Sequence, residues 1–141
     1  MKKSRGFTLI ELILVVVILL ILASIAMPNF VKAKSKTEQR EAVANLQLIA
    51  AEEKMYYADF ADYISCNCST PATCASASGC NALFRLMLNT QNWNYTVTVS
   101  GGAGARTANI TARAKTGSCL YTLLSGDFNN KTFSTSAGCI E

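Results

Sequence analysis

The sequence predicts an α+β fold in which a long N-terminal helix, hydrophobic and then amphipathic, packs on a small antiparallel sheet of three or four strands. Two patterns lead to this expectation. The first half of the chain holds an apolar run followed by a stretch without Gly or Pro, and the C-terminal third alternates apolar and polar residues between glycine turns. With 141 residues, the chain has room for one modest domain beside such a helix.

The first element is an apolar helix long enough to span a membrane. Phe7–Met27 holds 21 residues, roughly 32 Å of α-helix, which reaches across a bilayer core. The cations Lys2, Lys3 and Arg5 precede it and are expected to keep the N-terminus on the cytoplasmic side. Without them, ten positive charges face nine negative ones, so the net charge of +4 does not predict a nucleic-acid surface.

Glu11 is the single carboxylate inside this helix. An ionisable group there costs about 2.5–3.5 kcal/mol on insertion scales, so it usually has a partner. The sequence between Gly6 and Lys32 contains no cation. A cut between Gly6 and Phe7 would create an α-amine one turn before Glu11, available most usefully between neighbouring copies. A signal peptide or a plain anchor explains the apolar length, but neither explains a glutamate five residues after a glycine.

The run Gly6-Phe7-Thr8-Leu9-Ile10-Glu11, followed by an apolar helix that ends at Pro28, resembles the processing site and stem of type IV pilins and pseudopilins. The resemblance covers roughly the first quarter of the chain. It implies that a prepilin peptidase cleaves after Gly6 and N-methylates Phe7, and that Glu11 directs assembly into a helical homopolymer. It also implies a bacterial inner-membrane precursor, partnered by pilus assembly machinery, that becomes an extracellular cell-surface filament.

The role of such a filament stays open between several alternatives. A pilus, or fimbrium, would serve cell adhesion or motility. A pseudopilin of a type II secretion or DNA-uptake system would share the stem and differ in its head, and a minor pilin would carry an adhesive head. Major pseudopilins of type II secretion are marked by a calcium-binding C-terminal loop and a Trp-Gly-x-Pro-Tyr-like stretch. Asn92-Trp93-Asn94-Tyr95 departs from that stretch. The C-terminal turn offers one carboxylate, Asp127, which provides too few ligands to predict a calcium site.

The chain is expected to divide into four segments. They are the leader 1–6, the stem 7–28, the amphipathic continuation of the helix 29–62, and a disulfide-stapled globular head with the sheet, 63–141. The helix should pass through Pro28, because Gly and Pro are absent from 29–62. Pro28 cannot donate to the carbonyl of Ser24, so either a kink or a short unwound stretch is expected there.

The helical continuation carries two apolar stripes. The broad one comprises Val43, Leu46, Ile49, Ala50, Tyr56, Tyr57 and Phe60, and the narrow one Ala44, Leu48, Ala51 and Met55. The broad stripe should cover the sheet, although Glu53 falls within it. The narrow stripe indicates either a second surface against a neighbouring subunit or ordinary tolerated surface residues.

Strands are predicted where apolar and polar residues alternate. They are expected at Trp93–Val99, Arg106–Lys115, Ser118–Leu124 and Lys131–Ser136, with a turn at Gly101–Gly104 and a short helix or turn at Asn81–Asn89.

Six cysteines follow the stem, on the side expected to be exported. They are Cys66, Cys68, Cys74, Cys80, Cys119 and Cys139. An even count there favours disulfides, while the absence of histidine and of C-x-x-C argues against a metal site, so no metal or cofactor is expected. Sequence alone does not choose the pairing. We favour Cys119 with Cys139 and two bridges within 66–80, and disfavour Cys66 with Cys68.

Catalysis is not expected from this sequence. Without histidine there is no Ser-His or Cys-His pair, and no phosphate-binding G-x-x-x-x-G-K-[ST] motif occurs. The prediction is therefore a non-enzymatic structural subunit of a type IV pilus-like filament, whose main partner is another copy of itself.

Overall fold

The computed structural model describes residues 6–102, 106–130, 132–136 and 138–139, and it confirms the α+β class. The elements are α1 (Leu9–Phe60), β1 (Cys66–Cys68), α2 (Pro71–Ala75), α3 (Cys80–Phe84), β2 (Trp93–Ser100), β3 (Thr107–Ala114), β4 (Leu120–Leu124), a short 3-10 turn (Ser125–Asp127) and β5 (Ser134–Thr135). The leader cations and part of the expected turn at 101–104 lie outside the described residues.

Helix α1 runs for 52 residues and includes Pro28. The prediction that the helix continues past this proline is confirmed, and residues 20–28 are helical throughout. The short unwound stretch offered as one alternative is therefore wrong for the isolated subunit. A kink at Pro28 stays a prediction.

The chain divides into two compact units, Met1–Thr37 and Glu38–Glu141. Every described residue of the first unit up to Lys34 is exposed, including all the apolar side chains of the stem. Among the described residues, α1 is the one helix long and apolar enough to cross a membrane, judged by length and composition alone. None of its most apolar window is buried.

The second unit holds an antiparallel sheet in which each strand pairs with the next along the chain, in the order β1-β2-β3-β4-β5. Strands β2 and β3 form the longest pair, from Trp93 opposite Ala114 to Ser100 opposite Thr107. The sheet has one strand more than the upper expected number. The additional strand is β1, whose three residues lie in a Ser-, Thr- and Cys-rich segment and are too few to show an alternating pattern.

The short helix expected within 81–89 is α3, which ends sooner than the pattern indicated. Arg85 takes a left-handed conformation, with φ of 54°, and caps the helix directly after Phe84. A left-handed residue at this position is a common way to end a helix.

The C-terminal half of α1 covers one face of the sheet. Leu46 and Ile49 are fully buried in the same core as Tyr95, Ile110 and Leu123. The broad stripe is thus confirmed over its N-terminal part. It is wrong at its end, where Tyr57 is 45% and Phe60 65% exposed.

Two side-chain hydrogen bonds fix α1 on the sheet. Asn45 donates through Nδ2 to the phenol oxygen of Tyr95 at 2.8 Å, and the phenol of Tyr121 donates to Oε1 of Gln39 at 3.2 Å. Burial raises the pKa of Tyr95, the hydrogen bond from Asn45 opposing this effect, and burial also raises the pKa of Tyr121. Both phenols therefore stay neutral at physiological pH, as a buried hydrogen-bonded group requires.

Leu46→Ala should destabilise the second unit by about 2–5 kcal/mol, because a fully buried leucine leaves a cavity when it is truncated. Leu48→Ala is the matched control, since Leu48 is 51% exposed and its truncation should cost about 0.5 kcal/mol or less. Urea unfolding of the full chain in detergent, followed by the fluorescence of the single tryptophan, Trp93, measures both. Equal losses from the two variants would contradict the assignment of the helix faces.

Candidate assembly site

The peptide bond between Gly6 and Phe7 lies just before α1, outside any helix or strand, and both residues are exposed. A Cβ added to Gly6 would meet no atom within 4 Å, and the backbone there does not have the positive φ that favours glycine. The part of the fold that the structure describes therefore gives no steric or conformational reason for a glycine at this position.

Thr8 begins the helix as its N-cap residue. The backbone N–H of Glu11 donates to Oγ1 of Thr8 at 3.4 Å, and the N–H of Leu12 donates to the carbonyl of Thr8 at 3.3 Å. Thr8 and Glu11 thus have the T-x-x-E spacing of a capping box. This role of Thr8 was not predicted, although the T-x-x-E spacing is present in the sequence.

The position of Glu11 in the first turn of the helix is a second explanation for a carboxylate there, beside pairing with a cation. The free energies of the two effects show whether the helix end alone is enough. A carboxylate in the first turn of a helix gains typically 0.3–1 kcal/mol from the helix dipole. Its insertion into a bilayer costs about 2.5–3.5 kcal/mol. Within the described residues no ion pair or hydrogen bond reaches the carboxylate itself. The helix end therefore offsets only part of the cost, and a cation is still missing.

Around Pro28 the helix backbone keeps a side-chain contact one turn earlier. The hydroxyl of Ser24 donates to the carbonyl of Ile21 at 2.7 Å. Because Pro28 has no N–H, the carbonyl of Ser24 loses its usual helical donor. This stretch is the weakest point of the backbone ladder within the stem.

The structure joins the six cysteines in three disulfides, Cys66–Cys80, Cys68–Cys74 and Cys119–Cys139, and leaves none free. The first two attach β1 to α3 and α2, and the third closes the C-terminal segment onto the start of β4. Cys66 and Cys68 point to the buried side of β1 while Asn67 between them points to solvent. Each of the two is bonded to a cysteine in a following helix and not to the other.

The narrow stripe is a continuous exposed surface on the second unit. Ala44, Leu48, Ala51 and Met55 are all exposed. Beside it, α1 and the region after β4 enclose a shallow groove lined in part by Ala51, Met55, Leu123 and Phe128. Lys54 crosses this groove, where its Nζ donates to the carbonyl of Phe128 at 2.9 Å.

The N-terminal part of the chain is similar to known proteins. A family profile described as the prokaryotic N-terminal methylation motif matches residues 1–27. The N-terminal part of the chain is therefore similar to proteins that carry this motif. The matched range contains Gly6, Phe7 and Glu11 and ends one residue before Pro28.

Two curated relatives represent the two branches of the family. The type IV major pilin protein PilA of Myxococcus xanthus is 46% identical over 68 residues, which covers 44% of this chain and 31% of the relative. The type II secretion system core protein G of Vibrio cholerae is 43% identical over 63 residues, which covers 45% and 43%. The chain therefore spans less than half the length of the curated relatives it matches. No solved structure shows a significant match.

Proposed function

We propose that the chain is the structural subunit of a type IV pilus-like extracellular filament that forms by packing of the stem helices. One observation carries the proposal: the exposed apolar stem of α1 begins with a carboxylate that has no partner among the described residues and lies inside the N-terminal methylation motif. A type IV major pilin among the relatives supports it. The relatives are named as pilins and secretion-system core proteins, and the proposed activity is self-association without catalysis.

Processing would come first. The precursor inserts into the inner membrane with the leader 1–6 on the cytoplasmic side, and a prepilin peptidase cleaves after Gly6 and methylates Phe7. Support comes from the exposure of this peptide bond before the helix begins, and from the lack of any steric need for glycine at position 6. The stem 7–28, the amphipathic helix 29–62 and the head 63–141 would remain as the mature subunit.

Assembly would then pair Glu11 with the α-amine of Phe7 in a neighbouring subunit. Moving a stem from lipid into a bundle of stems exchanges one apolar environment for another, so the hydrophobic gain is small. The ion pair supplies direction and register, because a copy in any other position leaves both charges unmatched. A buried ion pair is weak evidence for net stability, but the loss of one partner is strongly unfavourable.

A second contact would involve the amphipathic helix. The narrow stripe is exposed over its full length although its residues are apolar or small. A neighbouring copy in the filament is the occupant that the proposed polymer provides at high local concentration. The stripe would then contribute lateral packing between the amphipathic helices of neighbouring subunits, while the stem contributes register.

A pseudopilin of a type II secretion system is the second candidate, favoured by the matches to core protein G. Calcium-dependent assembly into short periplasmic fibres would support it. Abundant filaments that shear from the cell surface would support the pilus assignment instead.

Glu11→Gln should be processed normally and yet enter filaments poorly. Glutamine can replace glutamate in a capping box, so the helix start is kept while the charge is removed. Thr8→Ala is the complementary control, because it removes the cap, at a cost of about 1 kcal/mol, and keeps the charge. The readouts are the mass of the membrane-bound subunit and the amount of sheared filament.

The outcome separates the two roles of Glu11. Wild-type amounts of filament from Glu11→Gln, together with a defect in Thr8→Ala, would mean that Glu11 acts only as a cap. Loss of filament from Glu11→Gln but not from Thr8→Ala would support charge pairing.

Leu48→Asp should leave the stability of the single subunit nearly unchanged, because Leu48 is exposed there. It should lower filament yield about tenfold or more, because a charge without a partner would be buried between neighbouring subunits. Met87→Asp serves as the control, since Met87 is 98% exposed and lies off the stripe. Normal filament yield from Leu48→Asp would argue against a subunit contact at this surface.

An intact-mass measurement on sheared surface material checks processing directly. The expected mass lacks residues 1–6, carries one added methyl group and corresponds to three disulfides. Edman sequencing that still begins at Met1 would contradict cleavage at Gly6.

A further inference from the structure

Glu53 interrupts the apolar stripe of α1, and the structure places it in the protein interior. Its side chain carries a carboxyl group and is nevertheless fully buried, like the apolar side chains of the stripe that face the sheet. Its Oε2 accepts the backbone N–H of Ile64 at 3.2 Å, across the corner that joins α1 to β1. Its Oε1 is buried and has no hydrogen-bond partner among the described residues. The carboxyl group is therefore half satisfied.

The corner held by Glu53 is a sharply bent connection. Ala61 ends α1 in the left-handed region, with φ of 51°, and its N–H donates to the carbonyl of Tyr57 at 2.8 Å. Tyr63 turns back to stack on Tyr57, with ring centroids 4.7 Å apart. Ile64 follows, and its hydrogen bond to Glu53 fastens the chain to the helix before β1 begins. The Glu53 carboxyl thus joins the helix to the far end of its own exit loop.

The charged and titratable groups around Glu53 do not neutralise it. Asp62 in the corner is acidic, and it is itself held by Arg106 of the adjoining β3 segment, with Nη1 2.7 Å from Oδ2. Tyr63 contributes a phenol, whose pKa is raised by burial first and by Tyr57 and Glu53 to a lesser degree. On the helix, the ammonium group of Lys54 donates its hydrogen bond to the carbonyl of Phe128. Among the described residues no cation pairs with Glu53.

This environment favours the protonated carboxylic acid. Burial raises the pKa of Glu53 from 4.5 to about 7, the N–H of Ile64 opposing the shift and Asp62 adding to it. A proton on Oε1 removes the charge from an oxygen that no donor reaches, whereas ionisation leaves a buried charge with one hydrogen bond. The chain contains no histidine, and among the described residues of the second unit Glu53 is positioned to change its charge near neutral pH.

We propose that Glu53 is a proton-operated latch of the α1–β1 corner: the corner is closed while the carboxyl is neutral, and loss of the proton loosens residues 61–65. The latch does not depend on filament assembly, because every group in it belongs to one subunit. The α1–β1 corner would then be more firmly closed at mildly acidic pH than at alkaline pH.

The sign follows from proton linkage. Glu53 holds its proton more tightly in the folded protein than in the unfolded chain. The stabilisation from this group is therefore complete below pH 4.5 and is lost as the pH rises through about 7. Between pH 6 and pH 8 the unfolding constant should rise about tenfold. Buried carboxylates with a depressed pKa have the opposite dependence, which makes the direction diagnostic.

The test compares wild type, Glu53→Gln and Glu52→Gln as full chains in detergent. Glu52 is adjacent and only partly buried, so its variant makes the same chemical change one position away. Urea unfolding at pH 6 and pH 8, followed by Trp93 fluorescence, should show the tenfold change in wild type and Glu52→Gln and its loss in Glu53→Gln. The α-amino terminus also titrates in this range, but it is common to all three proteins.

A pH dependence that survives in Glu53→Gln, or that is absent from wild type, would overturn the latch. If Glu53→Gln does not fold, carbon-13 carboxyl shifts of the wild type decide the question. One glutamate titrating near pH 7, with amide exchange at Ile64 that accelerates beyond its intrinsic pH dependence over the same range, supports the proposal. Titration of every carboxyl below about pH 5, the range of ordinary Asp and Glu, refutes it.

Discussion

The carboxylate of Glu11 lies at the start of the apolar stem of α1, whose side chains are all exposed in the isolated subunit. A single chain can supply neither an apolar covering for this helix nor a cation for this carboxylate within its described residues. Lipid satisfies the first need and leaves the second. The proposed bundle of processed copies would satisfy both, because each copy would bring an apolar surface and an α-amine. The demand for other copies thus arises from the stem.

The length of α1 was predictable because its causes are local. An apolar run long enough to cross a membrane is followed by residues without Gly or Pro, so nothing in the sequence ends the helix before Ala61. The burial of its faces was predictable only where the sheet lies beneath it. Tyr57 and Phe60 match the apolar stripe, but the helix extends past the sheet there and leaves them exposed. Periodicity identifies a face and does not reveal how far its cover extends.

Strand β1 and the roles of Thr8 and Glu53 were missed for different reasons. Strand β1 depends on pairing with β2, a contact between residues about thirty positions apart, which three residues cannot encode. The Thr8 cap was encoded in the T-x-x-E spacing but was overlooked beside the charge argument. Glu53 was recognised as an exception to its stripe. Its partner, the N–H of Ile64, became visible only once the corner was folded.

The disulfides explain how so polar a segment enters the sheet. Residues 65–79 are mostly Ser, Thr, Asn, Ala and Cys and contain little apolar surface that could drive their folding. Closing a loop of about 15 residues removes roughly 3 kcal/mol of unfolded-state entropy in the chain-entropy model, and Cys66–Cys80 closes one with a separation of 14. Such bridges persist in oxidising compartments. The three disulfides of the head therefore support its proposed export beyond the membrane.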